Sequence, residues 1–553
     1  MRATNMKNSI LNSRLLAAVV AAMLLAVSAF AAAPGITGAT STAANFDLVA
    51  GPAYINQPDG QMIYSWGYGC ALNSTVAFLP TAIGGATCPT MQVPGPTLIL
   101  TEGQTYTIRL TNNLPTQAGN TSILFPGLTV TAAGGVQGLL TSEATPGSSV
   151  TYTITAPTPG TRAYYSGTQS DLQVEMGLYG VIIVLPTTAD VPAACNAGTH
   201  ASNLTAEAHW GEADFRLAHA AYNHPGACYD REYLFQFSEM DPNIHSQALA
   251  QVQACAAPGA PSPCTLQVPT EPYHPAYFMI NGRSMPDDMD PNYAPQYPHQ
   301  PYNGDPHMHP GELVLLRIVG QGRWQHPFHE HGNHVRILAR DGNLIQSATD
   351  PNSLAGPLLF TTTTTPGLAM DGIFYWTGRG LNWDAYGHNP GSADPAAKLT
   401  CTPDANGYNT SAPTAINYYE WCQDHNKPLQ VKPFGDVAAN GPATLPDANI
   451  LTNGAWYGGS PYLGPDATTR ATGCAPGTAF QAGAGSTSNQ NCGATGSTPP
   501  SGTIANSPSD EAGFAFMWHS HNEREITTNN IFPGGMMMMM LVDSREFVID
   551  ETN

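Results

Sequence analysis

Two pairs of histidines, each pair separated by a single residue, are the part of this sequence best suited to chemistry. His329 and His331 lie in HPFHEHGNH, and His519 and His521 lie in WHSHNE. Residues two apart on a β-strand point to the same side. Neutral imidazole is a ligand for copper, zinc, iron and nickel. Single histidines are more often ordinary core or surface residues, but two such pairs among 17 histidines favour a metal site for one or two ions.

Short β-strands are the elements expected to position these histidines. An apolar run, LVLLRIVG (313–320), directly precedes the first pair, and alternating runs rich in Thr, Val, Ile and Tyr occupy 96–115, 148–160 and 177–186. These residue types prefer half-buried strands. Glycine (55) and proline (48) are abundant and only 11% of residues are charged, with no long amphipathic helix evident. The composition predicts an all-β protein built from sandwiches or barrels.

The same series of elements occurs twice along the chain. The first half contains PGPTLILTEGQTYTIRLTNNLP, TSILFPG, AYYSGTQ and MGLYGVIIVLP, and the second contains HPGELVLLRIVG, HPFHEHG, FMWHSHNE and PGGMMMMMLV. This repeat predicts two β-sandwich domains, at 46–190 and 229–548, joined by a linker at 191–228. A long insertion at about 378–510, rich in Gly, Ser, Thr, Pro and Asn, interrupts the second domain.

The N-terminal residues 1–33 have the character of a secretory signal peptide. Positive residues precede the apolar run LLAAVVAAMLLAV, and small residues follow it. A membrane anchor is the alternative, but 13 apolar residues are fewer than the roughly 20 that span a bilayer. No later segment is long and apolar enough to span. The protein is therefore expected to be exported, to the periplasm, the cell surface or the extracellular space.

Charge and cysteine content agree with export. The formal net charge is −21, which excludes nucleic acid as a partner because such binding requires neutralisation of phosphates by Lys and Arg. The acidic surface keeps an exported protein soluble and can also attract metal cations.

All ten cysteines follow the signal, and an even number in an exported chain predicts disulfides. Taken consecutively they form five local pairs: Cys70–Cys88, Cys195–Cys228, Cys255–Cys264, Cys401–Cys422 and Cys474–Cys492.

These motifs resemble the multicopper oxidase family. HPFHEHG is similar to its His-Pro-x-His-x-His-Gly motif, and FMWHSHNE followed by PGGMM is similar to its C-terminal His-Cys-His motif. The resemblance implies two cupredoxin-like Greek-key β-sandwich domains and copper as the cofactor. It implies that His326 corresponds to a ligand of the mononuclear blue copper. His329, His331, His519 and His521 then correspond to ligands of the trinuclear copper cluster.

The chain departs from the family pattern at the blue copper position. Ser520 stands where the family has the cysteine of its His-Cys-His motif, and Glu525 stands where it has a further histidine. A blue copper site requires a thiolate ligand. The resemblance therefore implies that this site has been dismantled.

The first half of the chain also lacks the family's ligands. Leu124 and Pro126 occupy the positions of one histidine pair, and Tyr165 and Gly167 occupy those of another. Four of the eight histidines expected in a trinuclear cluster are thus replaced. One copy of this chain does not supply a complete cluster.

Three further signals are weaker. His307 and His309 in the segment 287–311 suggest either a surface site that transfers copper or, preferably, a polar loop. The run Met536–Met540 predicts the last strand of the second sandwich, with methionines filling the core. Glu330, Glu523 and Glu525 are candidates to orient the metal-binding rings, because ligating histidines usually donate their other N–H group.

Two functions remain open at this point. The first is an exported copper protein of multicopper oxidase type that oxidises a metal ion or a small reductant. The second is a non-catalytic copper-binding or scaffold protein that binds a partner. Neither candidate function identifies catalytic residues in the sequence.

Overall fold

The structure is a computed structural model that describes residues 33–39, 45–72, 74–81, 83, 85–379, 401–421, 459–463, 512–543, 545, 548 and 549. The predicted signal peptide, apart from Ala33, and most of the predicted insertion lie outside the described residues. Within those ranges no helix is long and apolar enough to cross a membrane. The prediction of a mainly β protein is confirmed.

Two five-stranded sheets pack against each other in the first part of the chain. Leu98 and Ile182 from one sheet share a buried core with Phe46, Ile108 and Tyr152 from the other. The strands of the first sheet, in spatial order, are Gly160–Tyr165, Tyr179–Leu185, Leu98–Thr101, Gly35–Ala39 and Val76–Leu79. Those of the second sheet are Met62–Cys70, Phe46–Asn56, Thr105–Asn112, Ser149–Thr155 and Thr129–Gly134. A small hairpin, Val136–Gln137 with Ser142–Glu143, lies beside them.

A seven-stranded and a six-stranded sheet form the second pair. Their shared core contains Phe235 and Leu316 from one sheet and Phe328, Trp518 and Met538 from the other. The seven-stranded sheet consists of Tyr277–Ile280, Arg231–Met240, Leu313–Gly320, Ala369–Tyr375, Val335–Arg340, Asn343–Leu344 and Leu358–Leu359. The six-stranded sheet consists of His307–Met308, Met537–Asp543, Ala512–Ser520, His326–Glu330, Thr361–Thr364 and Gly459–Leu463.

The strands lie where the residue patterns predict them. The strand Leu313–Gly320 coincides with the predicted apolar run. Along Ser149–Thr155, buried and half-buried residues alternate, because successive side chains of a strand point to opposite faces. The methionine run forms the strand Met537–Asp543, and Met536, Met538 and Met540 pack in the core, as predicted.

Two helices were not evident in the sequence. One spans Gly198–Trp210 and ends at Gly211, whose φ of 92° lies in the left-handed region that favours glycine. The other spans Pro242–Ala256. The Asp241 carboxylate accepts a hydrogen bond from the Asn243 backbone N–H (2.9 Å), and Pro242 occupies the first helical turn. The pair Asp-Pro is a recognised start signal for a helix. The remaining helical segments are single turns: Ser170–Gln173, Thr116–Ala118, Ala193–Asn196, Pro225–Ala227, Asp287–Met289 and Glu523–Ile526.

Three of the five predicted disulfides are confirmed. Cys70–Cys88, Cys195–Cys228 and Cys255–Cys264 each close a local loop. Cys401 is disulfide-bonded as well. Cys422, Cys474 and Cys492 lie outside the described residues.

Direct hydrogen bonds join the two pairs of sheets. The Asp371 carboxylate accepts hydrogen bonds from the Thr161 hydroxyl (2.5 Å) and from the Tyr222 hydroxyl. The Gln321 side chain donates to the Gly180 carbonyl (2.9 Å). These contacts are buried, so the two halves of the repeat pack against each other through specific polar pairs.

Candidate metal centre

Antiparallel pairing of two strands brings the two histidine pairs together. The strands His326–Glu330 and Ala512–Ser520 are direct neighbours in the six-stranded sheet, and His329 lies opposite His519. His331 and His521 each follow within one residue of a strand end. Side chains directly opposite each other on neighbouring strands are in contact distance. We call His329, His331, His519 and His521 the four-histidine cluster.

Three imidazole rings of the four-histidine cluster are close enough to share an ion, and the ring of His521 lies beside them. Ligand nitrogens of His329, His331 and His519 all lie within 4.8 Å of one another. The Nε2 atoms of His331 and His519 are 3.2 Å apart. The ring centroids of His329 and His521 are separated by 4.8 Å, and those of His519 and His521 by 5.7 Å.

Burial keeps the inner rings of the cluster neutral. His329 and His519 are buried, His331 is half-buried and His521 is exposed, so the cluster opens to solvent on one side. Desolvation, helped by the neighbouring histidines, lowers the pKa of His329 to about 4. Desolvation also lowers the pKa of His519. Neutral imidazole is the metal-binding form, so both rings are ready to act as ligands at neutral pH.

Hydrogen bonds hold two of the rings in place. The Nδ1–H of His519 donates to the carbonyl oxygen of Ser520 (2.7 Å), which leaves the Nε2 lone pair directed at His331. His329 Nδ1 is hydrogen-bonded to the Thr361 hydroxyl (2.8 Å). Such bonds fix the tautomer and orientation of a metal-binding histidine. Thr361 belongs to the neighbouring strand Thr361–Thr364, and nothing in its threonine-rich sequence distinguishes it from the residues beside it.

The glutamates predicted to orient these rings lie elsewhere. Glu330 points into the core, where its carboxylate accepts a hydrogen bond from the Thr362 hydroxyl (3.0 Å) and desolvation raises its pKa to about 8. Glu523 is exposed. Glu525 is bonded to His326. Proximity in sequence was a poor guide because adjacent residues of a strand face opposite sides.

His326 lies in a separate, fully buried ionic network. Its Nδ1 is 2.9 Å from the Glu525 carboxylate and its Nε2 is 2.9 Å from the Glu239 carboxylate. Since carboxylates accept, both ring nitrogens donate, and these two partners raise the pKa of His326 to about 9. The Ser520 hydroxyl also donates to Glu525. Both ring nitrogens of His326 are therefore engaged by carboxylates.

Glu239 is the member of this network that the sequence did not reveal. It lies near the end of the buried strand Arg231–Met240, 87 positions before His326. Its carboxylate also accepts from the backbone N–H groups of Arg323 (2.7 Å) and Trp324 (2.9 Å). Nothing in the sequence of this strand, REYLFQFSEM, distinguishes Glu239 from its other polar residues.

In the first pair of sheets, the positions that align with the four-histidine cluster carry no histidine: they are Leu124, Pro126, Tyr165 and Gly167. Leu124 and Tyr165 form an antiparallel bridge, as His329 and His519 do, so the alignment of the internal repeat agrees with the structure. A Cβ atom added at Gly167 would lie 2.7 Å from the Leu124 side chain. Ile123, Leu124, Phe125 and Pro126 line one side of a cavity of about 290 Å³.

His307 and His309 are buried, so the prediction of a surface site that transfers copper is wrong. His307 Nδ1 pairs with Asp543 (2.5 Å), and His309 Nε2 pairs with Glu212 (2.6 Å). Both imidazoles are buried. Their acidic partners are distant in sequence, and these ion pairs compensate the cost of burying the histidines.

Comparison with known proteins finds a family match in one segment of the chain. Residues 86–189 match the family model described as multicopper oxidase. Over this segment the chain is similar to the multicopper oxidase family. The same region contains no histidine, so the part of the chain that carries the family match supplies none of the family's imidazole ligands.

One curated relative is the laccase abr2 of Aspergillus fumigatus, which is 40% identical over 98 residues. The match covers 17% of this chain and spans only 16% of the laccase. Among solved structures, the chain is similar to the multicopper oxidase mgLAC at 14% identity and a TM-score of 0.42. The match covers 92% of this chain and 87% of the mgLAC chain. It is also similar to the blue copper oxidase of Nitrosomonas europaea, at 14% identity and a TM-score of 0.42. That match covers 90% of this chain and 84% of the oxidase. At 14% identity and a TM-score of 0.42, these two structural matches carry no argument about the function of this chain.

Proposed function

We propose that the protein is an exported copper protein of multicopper oxidase type, which binds copper through His329, His331, His519 and His521. The observation that carries this proposal is the cross-strand position of His329 opposite His519. It supports a site in which imidazole rings from two distant segments of the chain lie together, with one side of the site open to solvent. The substrate is a metal ion or a small reductant that reaches the exposed side of the cluster at His521.

The residues of the cluster suit copper. Three of them, His329, His331 and His519, offer imidazole nitrogens within 4.8 Å of one another. The inner rings are neutral, and no thiolate is among the four. Imidazole nitrogen ligands favour Cu(II), which also heads the affinity order of the divalent first-row metals. When bound, copper supplies a one-electron redox centre. The chain's contribution is to hold the rings, with Thr361 and the Ser520 carbonyl setting their orientation.

The proposal includes the domain arrangement. Its parts are two cupredoxin-like Greek-key domains, at 46–190 and 229–548, joined by the segment 191–228. The two pairs of sheets support this division, although the strand Gly35–Ala39 of the first sheet precedes the first domain as bounded here. The insertion at about 378–510 extends from the second domain. The strand Gly459–Leu463 within it pairs with Ala512–Ser520 and so supports an insertion that returns to the sheet bearing His519.

A non-catalytic copper-binding or scaffold protein is the second candidate. The network around His326 favours it, because both ring nitrogens are bonded to carboxylates and Ser520 supplies no thiolate. Without a blue copper site, the usual entry of electrons in this family is lost. Oxygen consumption by the copper-loaded protein, with ferrous ion, manganous ion and a phenol as reductants, separates the two candidates. Reductant-dependent consumption supports the oxidase, and none with any of the three supports the second candidate.

The copper site is tested by removing one histidine from each strand. We expect His329→Ala/His519→Ala to bind copper more than about tenfold more weakly than the wild type, since ligands from both strands are lost. Elemental analysis gives the copper content after dialysis. Electron spin resonance reports nitrogen coordination.

The matched control is His326→Gln, which removes a nearby buried imidazole outside the cluster. We expect it to retain the copper content and spin-resonance signal of the wild type. Full copper with an unchanged nitrogen-coordinated signal in the double variant would show that the proposed site is wrong. A wild type that binds no copper at micromolar concentrations would contradict the copper function altogether.

A further inference from the structure

The loop that connects the strands Tyr277–Ile280 and His307–Met308 buries polar side chains that the described residues leave without hydrogen bonds. Asp288 is 0% exposed and Asn303 is 2% exposed. Within the described part of the chain, neither carboxylate oxygen of Asp288 and neither polar atom of the Asn303 amide has a partner, and Oδ1 of Asp305 also lacks a hydrogen bond. Buried polar groups are almost always partnered, so a concentration of exceptions requires an explanation.

Backbone contacts bring these three residues close together. The Gly304 N–H donates to the Asp288 carbonyl (2.6 Å), so Asn303 and Asp305 flank the residue that contacts Asp288. The Asn303 backbone is itself anchored, because its N–H donates to the Asn292 side chain (3.0 Å) and its carbonyl accepts from the Asn281 amide. The polar side chains of 288, 303 and 305 thus come from a rigidly held loop.

Negative charge exceeds positive charge at this position. Neither basic group nearby forms a hydrogen bond with the Asp288 carboxylate within the described residues. Arg283 donates to backbone carbonyls, among them those of Asp290 (2.9 Å) and Gln300 (2.8 Å). His307 pairs with Asp543, and its Nε2 also lies 3.6 Å from Oδ1 of Asp305. Five carboxylates that influence one another electrostatically face these two basic groups: Asp287, Asp288, Asp290, Asp305 and Asp543. A buried carboxylate without a counter-charge is costly.

We propose that Asp288, Asn303 and Asp305 bind a hard divalent cation, calcium, through their side-chain oxygens. Carboxylate and amide oxygens are the ligands that calcium prefers, and it accepts six to eight of them in flexible geometry. Backbone carbonyls and water complete the shell. This site is separate from the four-histidine cluster, whose nitrogen ligands suit a softer metal.

Calcium at this position stabilises the contact between the two pairs of sheets. The same loop reaches the first pair of sheets at three points. His299 accepts a hydrogen bond from the Val93 N–H (2.8 Å), Tyr302 accepts from the Thr97 N–H (3.0 Å), and Gln300 accepts from the Asn56 N–H (2.7 Å). A cation that holds the loop therefore holds all three contacts.

The experiment measures calcium binding by the full mature chain after removal of metals with a chelator. Equilibrium dialysis against calcium chloride gives the stoichiometry, and thermal unfolding with and without calcium gives the stabilisation. We expect about one tightly bound calcium and an increase in Tm of a few degrees. Magnesium at the same concentration should increase Tm less, because it demands a smaller and stricter octahedral shell.

Two variants of adjacent residues separate this site from the general acidity of the protein. Asp288→Asn keeps the size of the side chain and should weaken calcium binding at least about tenfold, with the copper content unchanged. Asp287→Asn removes a half-buried neighbouring carboxylate and should change the affinity less than about twofold. The proposal is overturned if the wild type binds no calcium, or if the two variants bind it equally well.

Discussion

At the scale of single residues, Ser520 and Glu525 decide the chemistry of the second histidine motif. Ser520 stands where the resemblance to the family places a thiolate, and its hydroxyl donates to the Glu525 carboxylate. Glu525 and Glu239 together engage both nitrogens of His326. His326 thus lies in a carboxylate–imidazolium–carboxylate bridge, at the position that the family resemblance assigns to a copper ligand.

The first prediction at this scale concerns colour. Loaded with copper, the protein should lack the intense absorption near about 600 nm that arises from thiolate-to-copper charge transfer, because Ser520 supplies no sulfur. Visible absorption spectroscopy of the copper-loaded wild type checks this. A strong band in that region would mean that a cysteine elsewhere in the chain reaches the metal.

The second prediction concerns the pH dependence of stability. The pKa of His326 is raised to about 9 by Glu239 and Glu525, above the value of about 6.5 of an unfolded histidine. The imidazolium therefore stabilises the fold fully below pH 6.5, and this contribution is lost as the pH rises through 9. We expect a loss of about 2–3 kcal/mol in the free energy of unfolding across this window.

Denaturant unfolding of the metal-free protein at pH 6, 7.5 and 9.5 measures this loss. His326→Gln cannot titrate and serves as the control, so its stability should change less over the same range. Identical pH profiles for the wild type and His326→Gln would contradict the assignment of a charged His326.

At the scale of elements, the strand pair His326–Glu330 and Ala512–Ser520 creates the four-histidine cluster. Phe328 is fully buried between the histidines of its strand and lies opposite Ser520. Its ring packs against Phe237 at a centroid distance of 4.6 Å and against Trp518 at 6.1 Å. A one-residue shift of the strand would expose this aromatic core, so core packing sets the register that pairs His329 with His519.

We expect Phe328→Ala to lower the free energy of unfolding by about 3–5 kcal/mol, through lost burial and the cavity that remains. Chemical denaturation measures this change, and copper affinity should fall with it as the strand register loosens. Met62→Ala serves as a control because Met62 is 62% exposed, and its effect should stay within about 0.5 kcal/mol. A Phe328→Ala protein as stable as the control would show that this ring does not hold the pair together.

At the scale of the whole molecule, disulfides and polar contacts secure loops outside the cores. Each of the three disulfides with both partners described joins consecutive cysteines, the separations being 18, 33 and 9 residues. Such bonds form and persist in oxidising compartments. They therefore agree with the proposal of an exported protein.

The prediction at this scale is a mature chain that begins near Ala32 or Pro34 and has few or no free thiols. Intact mass should be unchanged by a thiol-alkylating reagent without reductant, because the ten cysteines are predicted to be paired. Reduction before alkylation is the control and should add up to ten modifications. Several modifications without reductant would contradict the disulfides, and an uncleaved N-terminus would contradict the signal peptide.

The sequence by itself determined the β architecture, the local disulfides and the identity of the paired histidines. Each of these rests on short-range information: alternation along a strand such as Ser149–Thr155, consecutive cysteines, or a His-x-His motif. The family resemblance, carried by whole motifs, was confirmed by the match of residues 86–189.

Only the tertiary structure decided which side chains surround these motifs. Glu239 reaches His326 across 87 positions, Thr361 reaches His329 across 32, and Asp543 reaches His307 across 236. The buried Asp288 oxygens, which have no hydrogen-bond partner in the described residues, were equally invisible, because a sequence records neither burial nor hydrogen bonding. Partners of this kind are selected by the packing of strands far apart in the chain, so no local pattern encodes them.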